Sequence, residues 1–177
     1  TSYRYSNGNG SLKWRYNFHE KHTMELAAGY DMYRYATYDK YNPVNSYEMT
    51  FSIQQVYSKL KFKSLLGKDH TLTYGVDAIG YDLSPGSYLP YGEESLVVPD
   101  ILPKENAIEA SAYLSHSWNI SERFFMDYGL RYSLFTTKGK TYHHPEIRVS
   151  GRVMITDNVS FKAGFNSLTQ YIHMLSN

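Results

Sequence analysis

The sequence predicts an all-β protein: an antiparallel up-and-down meander of about eight strands belonging to a transmembrane β-barrel. Three observations predict it. Apolar and polar residues alternate with a period of two through most of the chain, the pattern of strands with one wet face. Short polar turns alternate with long connections, as in membrane barrels, whose turns are short on one side and loops long on the other. The chain carries Tyr 19 and Phe 8 yet is hydrophilic on average. Disorder needs few aromatics, so that composition excludes it, and leaves a barrel with aromatic girdles or a carbohydrate-contacting surface.

After a polar start at Asn7-Gly8-Asn9-Gly10, Leu12, Trp14, Tyr16 and Phe18 alternate with Lys13, Arg15 and Asn17. This is the first strand, and His19-Glu20-Lys21 turns it. Met24, Leu26, Ala28, Tyr30 and Met32 then alternate with Glu25, Ala27, Gly29 and Asp31, and the second strand runs into Tyr33, Tyr35 and Tyr38. Asp39 to Ser46, with Asn42-Pro43, has the chemistry of a longer loop. In the third strand Lys59, Lys61 and Lys63 oppose Leu60 and Phe62, and a slip of the alternation near Gln54-Gln55 predicts a bulge there. Gly67-Lys68-Asp69 is a tight turn. In the fourth strand Leu72, Tyr74, Val76 and Ala78 oppose Thr73, Gly75 and Asp77.

Ser84 to Asn106, with Pro85, Pro90, Pro99 and Pro103, reads as the longest irregular segment, and loops of that length are usually functional. The fifth strand sets Ile108, Ala110, Ala112 and Leu114 against Glu109, Ser111, Tyr113 and Ser115, and ends at Trp118. Ser121-Glu122 turns the chain. The sixth sets Phe124, Met126, Tyr128, Leu130, Tyr132 and Leu134 against Asp127, Gly129, Arg131 and Ser133, and Thr136 to Pro145 is expected to be another long loop. A last hairpin pairs Ile147, Val149, Val153 and Ile155 with Val159, Phe161, Ala163 and Phe165 across Thr156-Asp157-Asn158, whose short polar side chains favour a turn.

Alternation alone does not separate a soluble sandwich from a barrel. The polar faces favour the barrel, because Arg148, Arg152 and Lys162 sit among small Ser and Gly residues, as expected for a lumen wall. Strands of this length also suit a tilted span of about 9 to 11 residues. On this reading Leu12, Leu26, Leu60, Leu72, Leu114, Leu130, Val149 and Phe161 meet lipid. Lys13, Arg15, Glu25, Asp31, Lys59, Lys61, Asp77, Glu109, Asp127, Arg131, Arg148, Arg152 and Lys162 line the interior as a ladder of ion pairs. Trp14, Phe18, Trp118 and Phe124 near the short turns, and Tyr30, Tyr35, Tyr38, Tyr81 and Tyr132 near the long loops, form the two interfacial girdles.

A net charge of +1 with no Lys/Arg run gives no signature for nucleic acid. Cys 0 excludes disulfides, thiolate zinc sites and thiol catalysis. No window approaches the roughly 18 apolar residues of a membrane helix. No secretory signal opens the chain, so residues 1–177 are expected to be one partial barrel, a fragment of something longer.

Candidate chemistry is sparse. His143, His144 and Glu146 are the one compact group of metal-ligand types, and neighbours on a strand point apart, so His143 and His144 share a metal only from irregular loop backbone. His19, His22, His70 and His116 lie beside short turns, at headgroup level. No Gly-x-Ser-x-Gly elbow occurs. Gly8-Asn9-Gly10 has no following helix to cradle a phosphate. We expect no catalytic, cofactor or metal residues. The ligand-contact candidates are Tyr38, Tyr88, Tyr91, His143 and His144, loop residues able to stack on or bond to a solute.

The peptide Gln170-Tyr171-Ile172-His173-Met174-Leu175-Ser176-Asn177, with the strand and loop rhythm before it, resembles the barrel of TonB-dependent outer-membrane receptors, in the branch that often carries an N-terminal carboxypeptidase-regulatory-like extension. The resemblance implies a barrel of about 22 strands in the outer membrane, a plug domain absent here, and no cofactor. It also implies uptake of a scarce nutrient, whether iron chelate, vitamin, glycan or peptide, driven through the TonB complex. Three alternatives stay open. One is a complete eight-stranded barrel for adhesion or anchoring; another is a rim hydrolase using His116 or His143. The third is a soluble carbohydrate-binding sheet, which would bury the face of Leu12, Leu26 and Leu130 under protein.

Overall fold

A computed structural model describes residues 1–172; most of the Gln170–Asn177 peptide lies outside the described residues. The strands are β1 (Ser2–His19), β2 (His22–Asp39), β3 (Tyr47–Leu66), β4 (His70–Pro90), β5 (Asp100–Ile101), β6 (Glu105–Ser121), β7 (Phe124–Thr137), β8 (Lys140–Thr156) and β9 (Val159–Asn166). A 3-10 turn, Pro43–Asn45, is capped by the Asn42 side chain, whose oxygen accepts the Val44 N–H. The long strands form one antiparallel sheet in chain order, β1-β2-β3-β4-β6-β7-β8-β9. The meander of eight long strands is therefore as expected; β5 is a short addition that pairs with Ser87 and Tyr88 of β4.

Register confirms the parity of the faces. Leu26 lies opposite Leu60, Leu60 opposite Val76, Val76 opposite Ala112, Leu114 opposite Leu130, and Val149 opposite Phe165. Directly opposed residues share a face, so these apolar residues form one continuous surface. Among the described residues nothing covers it: Leu12 is 77% exposed, Val76 51% and Leu130 55%. The soluble-sheet alternative requires that face to be buried, and no described residue buries it. The charged face is the concave one, because a hollow of about 380 Å³ is lined by residues from Glu25 in β2 through Arg148 in β8. Within the described residues β1 pairs only with β2, and β9 only with β8. The wall is open, which argues against a barrel closed by these strands.

Four sequence expectations are corrected. Thr136 to Pro145 is not a loop. β7 and β8 continue through it, with Thr136 opposite Thr141, and reverse at Lys138-Gly139, whose φ values are 49° and 73°. Two consecutive positive φ values make the turn that matches the twist of a hairpin. Pro145 does not break β8. It lies beyond Arg148, the last β8 residue paired with β9, where a missing N–H costs no ladder bond.

Ser84 to Pro90 is likewise strand, so the irregular segment shortens to residues 91–104, interrupted by the two residues of β5. No slip occurs at Gln54-Gln55, which pair in register with Met32 and Asp31. The shift lies higher, where Thr50 opposes Ser87 but Ser52 opposes Ser84, so that Pro85 and Gly86 together face Phe51. A proline is tolerated at a bulge because the ladder is already interrupted there.

The fourth correction concerns the girdles. Tyr35 and Tyr81 have inward parity, Tyr35 packing on Tyr5 and Phe51 with centroids 5.0 and 4.8 Å apart, and Tyr81 donating to Glu109 at 3.4 Å. Tyr30, Tyr38 and Tyr132 keep outward parity, as do Trp14, Phe18, Trp118 and Phe124 at the other end.

Candidate functional site

Inward residues pair by charge because long side chains directly or diagonally opposed on neighbouring strands are within reach. Glu25 accepts from Lys13 at 2.8 Å and Arg15 at 2.9 Å. Arg131 lies between Asp77 at 3.3 Å and Glu146 at 3.9 Å, and Ser133 donates to Glu146 at 3.3 Å. Gln55 donates to Asp31 at 2.7 Å, and Ser117 to Asp127 at 2.6 Å. Of the expected ladder, the ion pairs form two separate clusters, around Glu25 and around Arg131, while Asp31 and Asp127 are met by neutral donors. Lys59, Lys61 and Arg148 line the same hollow, and among the described residues they form no ion pair. The outward face carries no charge between Leu12 and Phe18, between Met24 and Met32, or between Leu72 and Gly80.

At the end of the long connections, two loops are joined through Ser46, which is 4% exposed. Its hydroxyl meets the Pro43 carbonyl at 2.8 Å and the Tyr91 carbonyl, while its own carbonyl accepts from Tyr91 N–H at 3.0 Å and Ser95 hydroxyl at 2.6 Å. Leu96 N–H donates to Val44 at 2.8 Å. Residues 40–46 and 91–96 thus form one rim. The Asp39 carboxylate beside it accepts the Tyr41 backbone N–H at 3.0 Å, which holds it below the usual carboxylate range.

The five contact candidates separate. Tyr38 and Tyr91 meet edge to face, centroids 5.8 Å apart, on the outward side. His143 lies opposite Leu134, also outward, with its ring 6.4 Å from Tyr132. His144 lies opposite Ser133 and faces inward. Tyr88 lies opposite Met49 and packs on Tyr47, centroids 4.9 Å apart, facing inward as well. His143 and His144 therefore stand on strand backbone and on opposite faces, and the irregular backbone that a shared metal requires is not there. Among the described residues no group of three His, Asp or Glu side chains is placed to hold a metal.

The histidines at the short-turn end form a chain that sequence reading missed: His70 Nδ1 lies 3.1 Å from His116 Nε2, and His116 Nδ1 lies 2.7 Å from the Tyr128 hydroxyl. His70 also stacks on Trp118 at 5.4 Å. The diagonal placement of positions 70 and 116 depends on cross-strand register, which no local pattern encodes.

One face apolar and uncovered among the described residues, the other concave and carrying ion pairs, in one antiparallel meander, defines a segment of a membrane-spanning barrel wall. The chain belongs to the TonB-dependent receptor β-barrel family, whose model, described as "TonB dependent receptor-like, beta-barrel", matches residues 1–172. Solved structures share the fold. It is similar to the copper transporter OprC (TM-score 0.71, 16% identity, 89% of this chain and 29% of that one). It is similar also to BauA, the ferric preacinetobactin receptor from Acinetobacter baumannii (0.67, 12%, 92% and 30%). A further likeness is to the ferric-catecholate import receptor Fiu from E. coli K12 (0.65, 8%, 93% and 35%). The chain thus spans about a third of the length of these proteins. No curated protein matches it.

Proposed function

We propose that the chain forms wall and external rim of an outer-membrane transporter that takes up a scarce nutrient, such as an iron chelate, vitamin, glycan or peptide. The observation that carries the reading is the pairing of an exposed outward face, free of charge between Leu12 and Phe18, Met24 and Met32, and Leu72 and Gly80, with a concave inward one that carries ion pairs. The first suits acyl chains and the second a watery or plugged interior. Uptake is energised by the TonB complex through a plug and contact segment supplied outside these residues. The solved relatives named for copper, ferric preacinetobactin and ferric catecholate support a small, scarce solute as cargo. Tyr88 and His144 are the candidates that a solute reaches from the interior, and Lys59, Lys61 and Arg148 add free positive charge beneath them.

The hydrolase alternative has little to work with. Both ring nitrogens of His116 are engaged, by His70 and Tyr128, so neither is free to take a serine proton.

The test is uptake by cells in which the whole receptor gene is deleted, grown with each nutrient class in turn as the limiting source. Loss of growth on one class, restored by the intact gene but not in cells lacking TonB, supports the proposal. Undiminished uptake of every class sinks it.

A further inference from the structure

The outward face changes character abruptly at the loop end. Along β2 the apolar series Leu26, Ala28, Tyr30, Met32 is followed on the same face by Arg34, and across the register Arg4 lies opposite Ala36. These two cations and Lys40 border a groove of about 750 Å³ with Tyr38, Tyr91 and Glu48. Lys40 Nζ sits 4.4 Å from the Tyr91 ring and 5.5 Å from Tyr38, and Arg4 lies 5.6 Å from the other ring edge partner, Tyr38. Ring contacts hold a cation without consuming its hydrogen bonds. Among the described residues none of the three is ion-paired. Glu48, the groove's one carboxylate, accepts from Thr50 at 3.1 Å. Three cations against one carboxylate leave the groove at about +2.

We propose that this groove binds the phosphate of a membrane lipid headgroup. The argument is position and charge together. The cations begin where the acyl-facing band ends, on the same face, which is the depth of headgroups, and guanidinium groups match phosphate oxygens in pairs. The aromatic walls suit the carbon framework that links phosphate to acyl chain. This explains why Tyr38 and Tyr91, which sequence reading offered to a transported solute, point away from the interior. The proposal rests on the barrel-wall reading.

The experiment uses the full-length receptor in neutral detergent, titrated with dioleoyl phosphatidic acid and, separately, dioleoyl phosphatidylcholine and inorganic phosphate, with bound lipid counted by native mass spectrometry. Preference for phosphatidic acid over both other probes is expected. R4Q/R34Q/K40Q should lower its affinity about a hundredfold, at roughly fivefold per cation. E48Q should raise it several-fold, and the interior triple K59Q/K61Q/R148Q should leave it unchanged. Wild-type affinity in the groove triple, an equal loss in the interior triple, weaker binding in E48Q, or equal binding of inorganic phosphate overturns the assignment. Contact of Leu130 with nitroxide-labelled acyl chains is read in the same preparation. If that contact is absent while phosphatidic acid still binds, the wall reading has failed and the groove has not.

Discussion

The Tyr113 side chain of β6 lies across Gly75 of β4, its directly opposed residue: a methyl group built at position 75 would stand 2.7 Å from the Tyr113 hydroxyl oxygen and collide with the Leu60 carbonyl. Tyr57 covers Gly29 in the same way, 2.5 Å from such a group. Glycine here gives an inward tyrosine room to lie flat on the wall, so a ring fills the surface that a missing side chain leaves.

Gly75→Ala should therefore destabilise the full-length receptor by about 1–3 kcal/mol, the range for overpacking. Gly80→Ala, with nothing within 4 Å, should change stability little. Urea unfolding midpoints of the two variants, refolded in the same lipid, check the difference.

Face parity makes a sharper contrast. Leu130→Arg puts a charge among exposed apolar residues and should cost about 2–4 kcal/mol in a bilayer, whereas Ser115→Arg, one residue along β6 from Leu114 and on the charged face, should cost less than about 1 kcal/mol. Equal losses in bilayer-refolded protein would contradict the assignment of faces.

Ser46 ties the rim together, and Ser46→Ala removes its hydroxyl while keeping its carbonyl bonds. A loss of about 1–1.5 kcal/mol is the usual worth of such a bond, so limited proteolysis within residues 91–104 should quicken about five- to tenfold. An unchanged cleavage rate would show that the carbonyl contacts alone hold the loops.

At the Lys138-Gly139 turn, Gly139→Ala forces a side chain into the left-handed region at φ 73° and should cost about 1–2 kcal/mol. The replacement Lys138→Asn should be nearly neutral. Asparagine accepts φ 49° more readily than lysine, and the lost pair at 2.5 Å, between an exposed lysine and a half-buried Glu105, contributes about 1 kcal/mol at most. Unfolding midpoints of the two variants give the comparison.

Much of this wall was legible in one dimension. Side chains on a strand alternate strictly, so which residues meet lipid and which meet water follows from counting, and the apolar and charged sets read from the sequence are the sets the register assembles. The turns at Glu20-Lys21, Gly67-Lys68-Asp69 and Asp157-Asn158 were legible for the same local reason, since short polar residues and glycine reverse a chain using their own backbone and side-chain preferences. Local composition misled at Thr136 to Pro145, because proline and glycine break a strand or sit within one depending on whether a neighbour needs the N–H.

What the sequence determined by itself is thus the membrane wall and its two faces, a property of period and composition. What only the tertiary structure decided is the identity of neighbours: that Arg131 stands between Asp77 and Glu146, that His70 meets His116, and that Tyr88 faces inward at all. Tyr88 has the even number of an outward residue on β4, and the extra residue of the Pro85-Gly86 bulge turns it over. Register between strands is set by pairings many residues apart in the chain, and a one-residue shift exchanges the faces of everything beyond it.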